Sequence, residues 1–196
     1  MLNIKRTDQV PPVQRRMRRW QVLALALTVL LLAGNFSGQQ TTTTNSQSIP
    51  QTQEKALDGS AVNFPNNGKS LLLVIGFTHK SDKQCDGWNQ KLKTAYIHNP
   101  RVAYYEMADF QGVPSVVMWM ISHGLHRKIP KDEQTYFVPF FHHEDEWKKL
   151  TDYAVPEDAY LIVATADGRV LWQTHGPPTD AKYAELQQAI QTATAN

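Results

Sequence analysis

One stretch of this chain carries the residue types that thiol chemistry needs. Residues 71–88, LLLVIGFTHKSDKQCDGW, hold its only cysteine, Cys85. The pattern predicts a buried strand, a sharp turn and the first turn of a helix. A helix N-terminus stabilises a thiolate, and Lys80 or Lys83 beside it would do the same. A lone thiolate of that kind can serve a peroxidase that borrows its resolving thiol, pass disulfides monothiolically, or bind a soft metal. Dithiol redox work is excluded, because it takes two cysteines. Asp82 and Asp86 act in the opposite sense, since a nearby negative charge raises a thiol pKa. A peroxidase pattern also asks for Thr or Ser three residues before the cysteine, where Asp82 stands. The structural alternative is a small, half-buried cysteine on a helix, packed near Trp88.

Histidines supply the second set of reactive groups: His79, His98, His123, His126, His142, His143 and His175. His79 in the turn, with Cys85 and one histidine from another loop, would make a Cu(I) or Zn(II) site. His123 and His126 are three apart and share a helical face. Adjacent His142 and His143 would point to opposite faces of a strand. None of these sets is closed, so Cys85 and His79 are the metal candidates and no resident cofactor is expected. No Gly-rich phosphate loop, Ser-His-Asp set or paired-carboxylate motif is present.

The elements that must position these groups follow from apolar runs and breakers. The net charge of +2 is misleading: residues 1–20 hold six Lys/Arg against Asp8, and the remainder holds 14 against 17 acids. The basic character belongs to the head, so nothing points to nucleic-acid binding. Val22–Ala33 follows, uncharged and with Thr28 as its one polar residue. With its flanks it makes an apolar run over 20–36, long enough to cross a bilayer and also suited to the core of a secretory signal. Either reading leaves residues 1–19 in the cytoplasm and carries the rest across. The anchor reading is favoured, with Leu31 and Ala33 forming a poor cleavage site. The run has no cysteine, which excludes bacterial lipoprotein attachment. Residues 37–54 are polar and nearly uncharged, and read as a disordered tether. The folded domain is expected over 55–196.

Within it, Leu57–Phe64 reads as two short strands around Asp58-Gly59. Ser70–Phe77 is a strand covered on both faces. A helix from Ser81 or Asp82 to about Ile97 follows, then a strand over Arg101–Ala108 with Val102, Tyr104 and Met107 inward. Gly112-Val113-Pro114-Ser115 opens a helix to about Gly124, with Lys128–Glu133 as a charged loop. Thr135–Phe141 is a strand bent or edged by Pro139. Glu144–Leu150 is a helix with acids in its first turn. Ala159–Ala164 and Val170–Gln173 form a hairpin around Asp167-Gly168, and Thr179 caps a last helix to about Ala193. The aromatics read mainly as core. VVMWMI, Val116–Ile121, also reads as core; exposed instead, it would be a partner surface.

This order of elements resembles the thioredoxin superfamily over about residues 55–194. Three patches carry the likeness. DGSAVNF resembles the first hairpin of membrane-tethered redoxins, LLLVIGFTHKSDKQC the strand and active-site turn, and AYLIVATADGRVLWQTHG the late hairpin. The resemblance implies an α/β, three-layer sandwich with a central mixed sheet flanked by helices, preceded by one transmembrane helix. GFTH is close to the turn of the SCO copper chaperones. There, Lys80 stands where their first cysteine would be and Cys85 one place beyond their second. Aligned on tethered WCxxC reductases, Cys85 falls at the second cysteine and Asp82 at the first. The cis-proline facing this turn in active members belongs just before AYLIVA, where Ala159 is nearest and Pro156 a few residues early. The final hairpin, DGRVLW with Gly176, is also similar to that of the assembly factor for the membrane sector of F-type ATP synthase, which lacks the dithiol.

The expectation is therefore a membrane-anchored, extracytoplasmic protein, periplasmic if bacterial. Its partners would be the bilayer through residues 20–36 and a membrane protein. Its work would be interaction in assembly or maturation of a membrane complex. The alternatives are a single-cysteine thiol oxidoreductase or peroxidase acting through Cys85, and an SCO-like copper chaperone.

Overall fold

A computed structural model describes residues 47–66 and 68–195. The basic head, the apolar run over 20–36 and the tether as far as residue 46 lie outside the described residues. Among the described residues, no helix is long and apolar enough to cross a membrane.

Among the described residues, seven strands and four α-helices form in the order β1 (Thr52–Lys55), β2 (Ala61–Phe64), β3 (Ser70–Gly76), α1 (Asp82–Tyr96), β4 (Val102–Asp109), α2 (Ser115–Lys128), β5 (Phe137–Phe140), α3 (Glu144–Leu150), β6 (Tyr160–Ala164), β7 (Val170–His175) and α4 (Asp180–Thr194). The main sheet runs β5-β4-β3-β6-β7. β3, β4 and β5 are parallel, while β6 and β7 run antiparallel to their neighbours. The sheet is mixed, as the alternating pattern and terminal hairpin imply.

β3 sits at the centre. Leu71, Leu72, Leu73, Val74 and Ile75 are fully buried, which is why the run shows no polar alternation. One face packs Leu72 and Val74 against Trp88 and Leu92 of α1 and Leu186 and Ile190 of α4. The other packs Leu71, Leu73 and Ile75 against Trp147 and Leu150 of α3 and Val62 and Phe64 of β2. This makes three layers, with the two cores separated by the sheet. Pro139 lies in β5, at the sheet edge, where a missing N–H costs no ladder bond. Thr179 caps α4 as expected, its Oγ1 accepting from Lys182 N at 3.3 Å.

Two features differ from the sequence reading. The folded chain reaches back beyond Lys55. Val170 N donates to Gln47 O at 2.9 Å and Ile49 N to Gly168 O at 2.8 Å. Ile49 is buried in the core and β1 pairs Thr52–Lys55 with Ala61–Phe64. Polar composition hid this strand, because backbone pairing and one aliphatic anchor hold it. The Asp58-Gly59 turn accordingly belongs to a five-residue loop, closed by Ala56 N to Ser60 O at 2.9 Å.

The second difference is α2. It runs four residues past Gly124, taking His126 and Lys128 into the helix, and it has no buried residue. VVMWMI is thus not core, and Val116, Val117, Trp119 and Met120 all face water. Gly124 inside the helix lowers its propensity without ending it.

Candidate functional site

The turn between β3 and α1 forms as expected. Thr78 Oγ1 accepts from Lys80 N at 3.2 Å and caps a short 3-10 turn, His79–Ser81, that leads into α1. Ser81 does not cap α1 with its side chain. It is fully buried, and its Oγ donates back to Thr78 O at 2.7 Å. Gly76 ends β3 at a place where a Cβ would stand 2.9 Å from Ser81 Oγ and 3.2 Å from Cys85 Sγ. The tight turn therefore selects glycine by space alone.

Cys85 lies on the inner side of α1, 5% exposed, in the same core as Trp88. Its Sγ is 3.9 Å from Ser81 Oγ, a weak donor contact. Burial, then the charge of Glu106, pushes its thiol up to about 12, with Asp82 and Asp86 adding in the same direction against the Ser81 contact. The helix N-terminus does not win. Desolvation penalises the thiolate directly, and the nearest charges are carboxylates.

A cavity of about 400 Å³ opens beside this thiol, between α1, the end of β4 and α2. Cys85 and His79 both line it, together with Asp82, Glu106, Ile121 and Leu125. Glu106 was not singled out in the sequence. It pairs with Val74 across the sheet and is largely buried, which raises its pKa against the pull of Lys93 at 4.0 Å. A signal was present: an acid in the middle of a strand that is otherwise apolar or aromatic from Val102 to Ala108, next to the central one. Lys93 also bonds Glu133 at 2.7 Å. Asp82 is raised by burial as well, with Lys128 opposing. At the cavity rim Asp109 is raised to about 6 by burial, with the Gln111 backbone bond opposing and Glu144 adding.

The loop facing the turn is tied to it. Thr78 Oγ1 donates to Pro156 O at 2.6 Å, Gln84 Nε2 to Asp158 Oδ1 at 3.1 Å, and Ala159 N to Gln84 Oε1 at 3.2 Å. Lys80 pairs with Glu157 at 3.2 Å across the same seam. Pro156 is not cis; among the described residues the cis bond is Phe64–Pro65.

The histidines are dispersed. His98 bonds the Tyr136 hydroxyl at 3.2 Å, His143 pairs with Glu146 at 2.9 Å, and His175 with Asp158 at 2.7 Å. His123 stacks on Trp119, while His126 and His142 are exposed. Among the described residues, no group of three or more His, Cys, Asp or Glu is placed to hold a metal ion. Cys85 and His79 share a cavity with Asp82 and Glu106, yet these four are not placed as a ligand set.

No family model and no curated protein matches the chain. Solved structures do. One described as a protein disulfide isomerase of Bacteroides thetaiotaomicron is 14% identical with a TM-score of 0.52, covering 77% of this chain and 90% of that one. One described as a thiol:disulfide interchange protein DsbE of Chlorobium tepidum is 16% identical with a TM-score of 0.50, covering 76% and 96%. The C-terminal domain of a thiol-disulfide oxidoreductase of Bacteroides thetaiotaomicron is 16% identical with a TM-score of 0.50, covering 76% and 97%. The likeness is one of fold: this is a thioredoxin-like α/β domain with a central mixed sheet flanked by helices.

Proposed function

We propose that this thioredoxin-like domain serves as a non-enzymatic interaction factor in the assembly or maturation of a membrane complex. It would be held on the extracytoplasmic side by a single span through residues 20–36, with residues 1–19 in the cytoplasm. The uncharged run and the basic head before it support that topology. The observation that carries the reading is the state of Cys85. The structural neighbours are described as thiol-disulfide proteins, and such chemistry runs through an accessible thiolate. Here the single thiol is buried and pushed up to about 12. Asp82 stands three residues ahead, where the reductase alignment puts the attacking thiol. The fold is kept while the group that would attack is gone, and a fold alone does not carry the chemistry with it.

Replacing Cys85 by serine in the full chain tests this. The interaction reading expects the variant to support the membrane complex as well as the wild type. Loss of that support with an unchanged melting temperature would return the thiol to the centre of the function. Flotation with membranes after carbonate washing tests the span separately.

A further inference from the structure

Helix α2 has an outer face that nothing in the described chain covers. Val116, Met120, His123 and Arg127 follow one another at helical spacings of four, three and four and form one stripe. Val117 and Trp119 flank it. Val116 is 75% exposed, Val117 45%, Trp119 70% and Met120 63%. Isolated exposed hydrophobes are ordinary, but four on two turns of one helix are not. Trp, Met and Arg are the types enriched at interface centres. The Trp119 ring stacks on His123 with centroids 5.8 Å apart, which holds the indole against the stripe. Beyond His123 the stripe ends on exposed Arg127, with exposed Lys131 and Asp132 following the helix, while Lys128 turns to line the cavity. The helix carries no acid. The stripe is therefore apolar over its first half and carries its positive charge, Arg127, in its second.

Its polarity restricts the occupant. The chain's own residues 1–46 hold six Lys/Arg and a single acid, Asp8, and cannot complement the positive half. A second copy fits poorly: parallel pairing sets two cationic halves together, and antiparallel pairing sets each against an apolar half.

We propose that the outer face of α2 is the docking surface for a partner-protein helix that is apolar over about two turns and acidic beyond them. The inference rests on the interaction role proposed above and assigns it a place. The test is photo-cross-linking in membranes of the organism that makes the protein. The full chain carries p-benzoylphenylalanine in place of Met120 or, as a second position, in place of Gln187 on α4. Cross-linked peptides are sequenced by mass spectrometry. The expected result is an adduct at position 120 whose partner peptide is apolar with a cluster of Asp or Glu. Arg127→Glu with Lys131→Glu, at unchanged melting temperature, should cut its yield about tenfold or more. A lipid adduct, a peptide of this same chain, a neutral or basic peptide, or no adduct at 120 overturns the proposal. Adducts to a membrane protein at 187 alone would keep the interaction reading and remove α2 from it. Adducts at neither position would remove both.

Discussion

The state of Cys85 is open to a direct kinetic test, because it is the only thiol in the chain. Only the thiolate reacts with iodoacetamide. A thiol titrating at the ordinary 9.0 is about one-tenth ionised at pH 8, whereas one pushed up to about 12 is ionised in about one part in 10⁴. Ionisation alone thus slows alkylation at pH 8 about 10³-fold, before burial obstructs the reagent. In the folded full chain, the alkylation rate followed by mass spectrometry should climb about tenfold per pH unit through pH 10 without a plateau. In guanidinium chloride the same cysteine should titrate ordinarily, near 9.0. Glu106→Gln removes the largest unfavourable charge on the thiolate and should raise the folded-state rate. A plateau with its midpoint below pH 8 in the folded chain would refute the reasoning. It would mean that the N-terminus of α1 outweighs burial and three carboxylates, and it would restore the thiol-enzyme reading.

Two further outcomes follow from the same site. Gly76→Ala forces a Cβ to within 2.9 Å of Ser81 Oγ and 3.2 Å of Cys85 Sγ. It should cost about 1–3 kcal/mol in chemical denaturation, and an unchanged midpoint would mean that the turn is looser than described. Asp109 is raised from 3.8 to about 6. Between those values the folded chain holds a proton that the unfolded chain has released, so this group's contribution to stability falls as pH rises through the window. Asp109→Asn is neutral at every pH. It should be more stable than wild type at pH 7, with the difference closing as pH falls towards 4, and a difference that stays flat over that range would refute the assignment.

Much of this fold was legible because its central elements state their burial in composition. Leu71–Ile75 and Leu161–Ala164 are apolar without alternation, and the structure buries them on both faces. Breakers did the rest: Pro139 fell on the edge strand, and Thr179 capped α4. Cys85 near Trp88 was also readable, since both lie on the inner side of one amphipathic helix. What composition could not report was the absence of a neighbour. VVMWMI is as apolar as a core helix, and only the three-dimensional arrangement reveals that no described element lies over its outer face, Val116, Val117, Trp119 and Met120. The strand at Thr52–Lys55 was hidden for the opposite reason, because its pairing is made by backbone groups common to every residue. Glu106 escaped notice because its significance depends on Cys85, 21 positions away in sequence and beside the same cavity in space.

The two surfaces that invite a ligand differ in what a ligand must break. At the turn, Thr78, Gln84 and Ala159 already bond across to the facing loop at 2.6, 3.1 and 3.2 Å. A peptide strand inserted there would give up three hydrogen bonds, each with a net contribution of about 1 kcal/mol, before forming any of its own. It would then meet a thiol that stays protonated. At α2 nothing is broken. Four exposed apolar side chains lose contact with water on docking, each Å² contributing about 25 cal/mol, and the basic end orients the partner by charge. On the proposed interaction role, recognition belongs on α2, while the seam of hydrogen bonds closes the turn between β3 and α1.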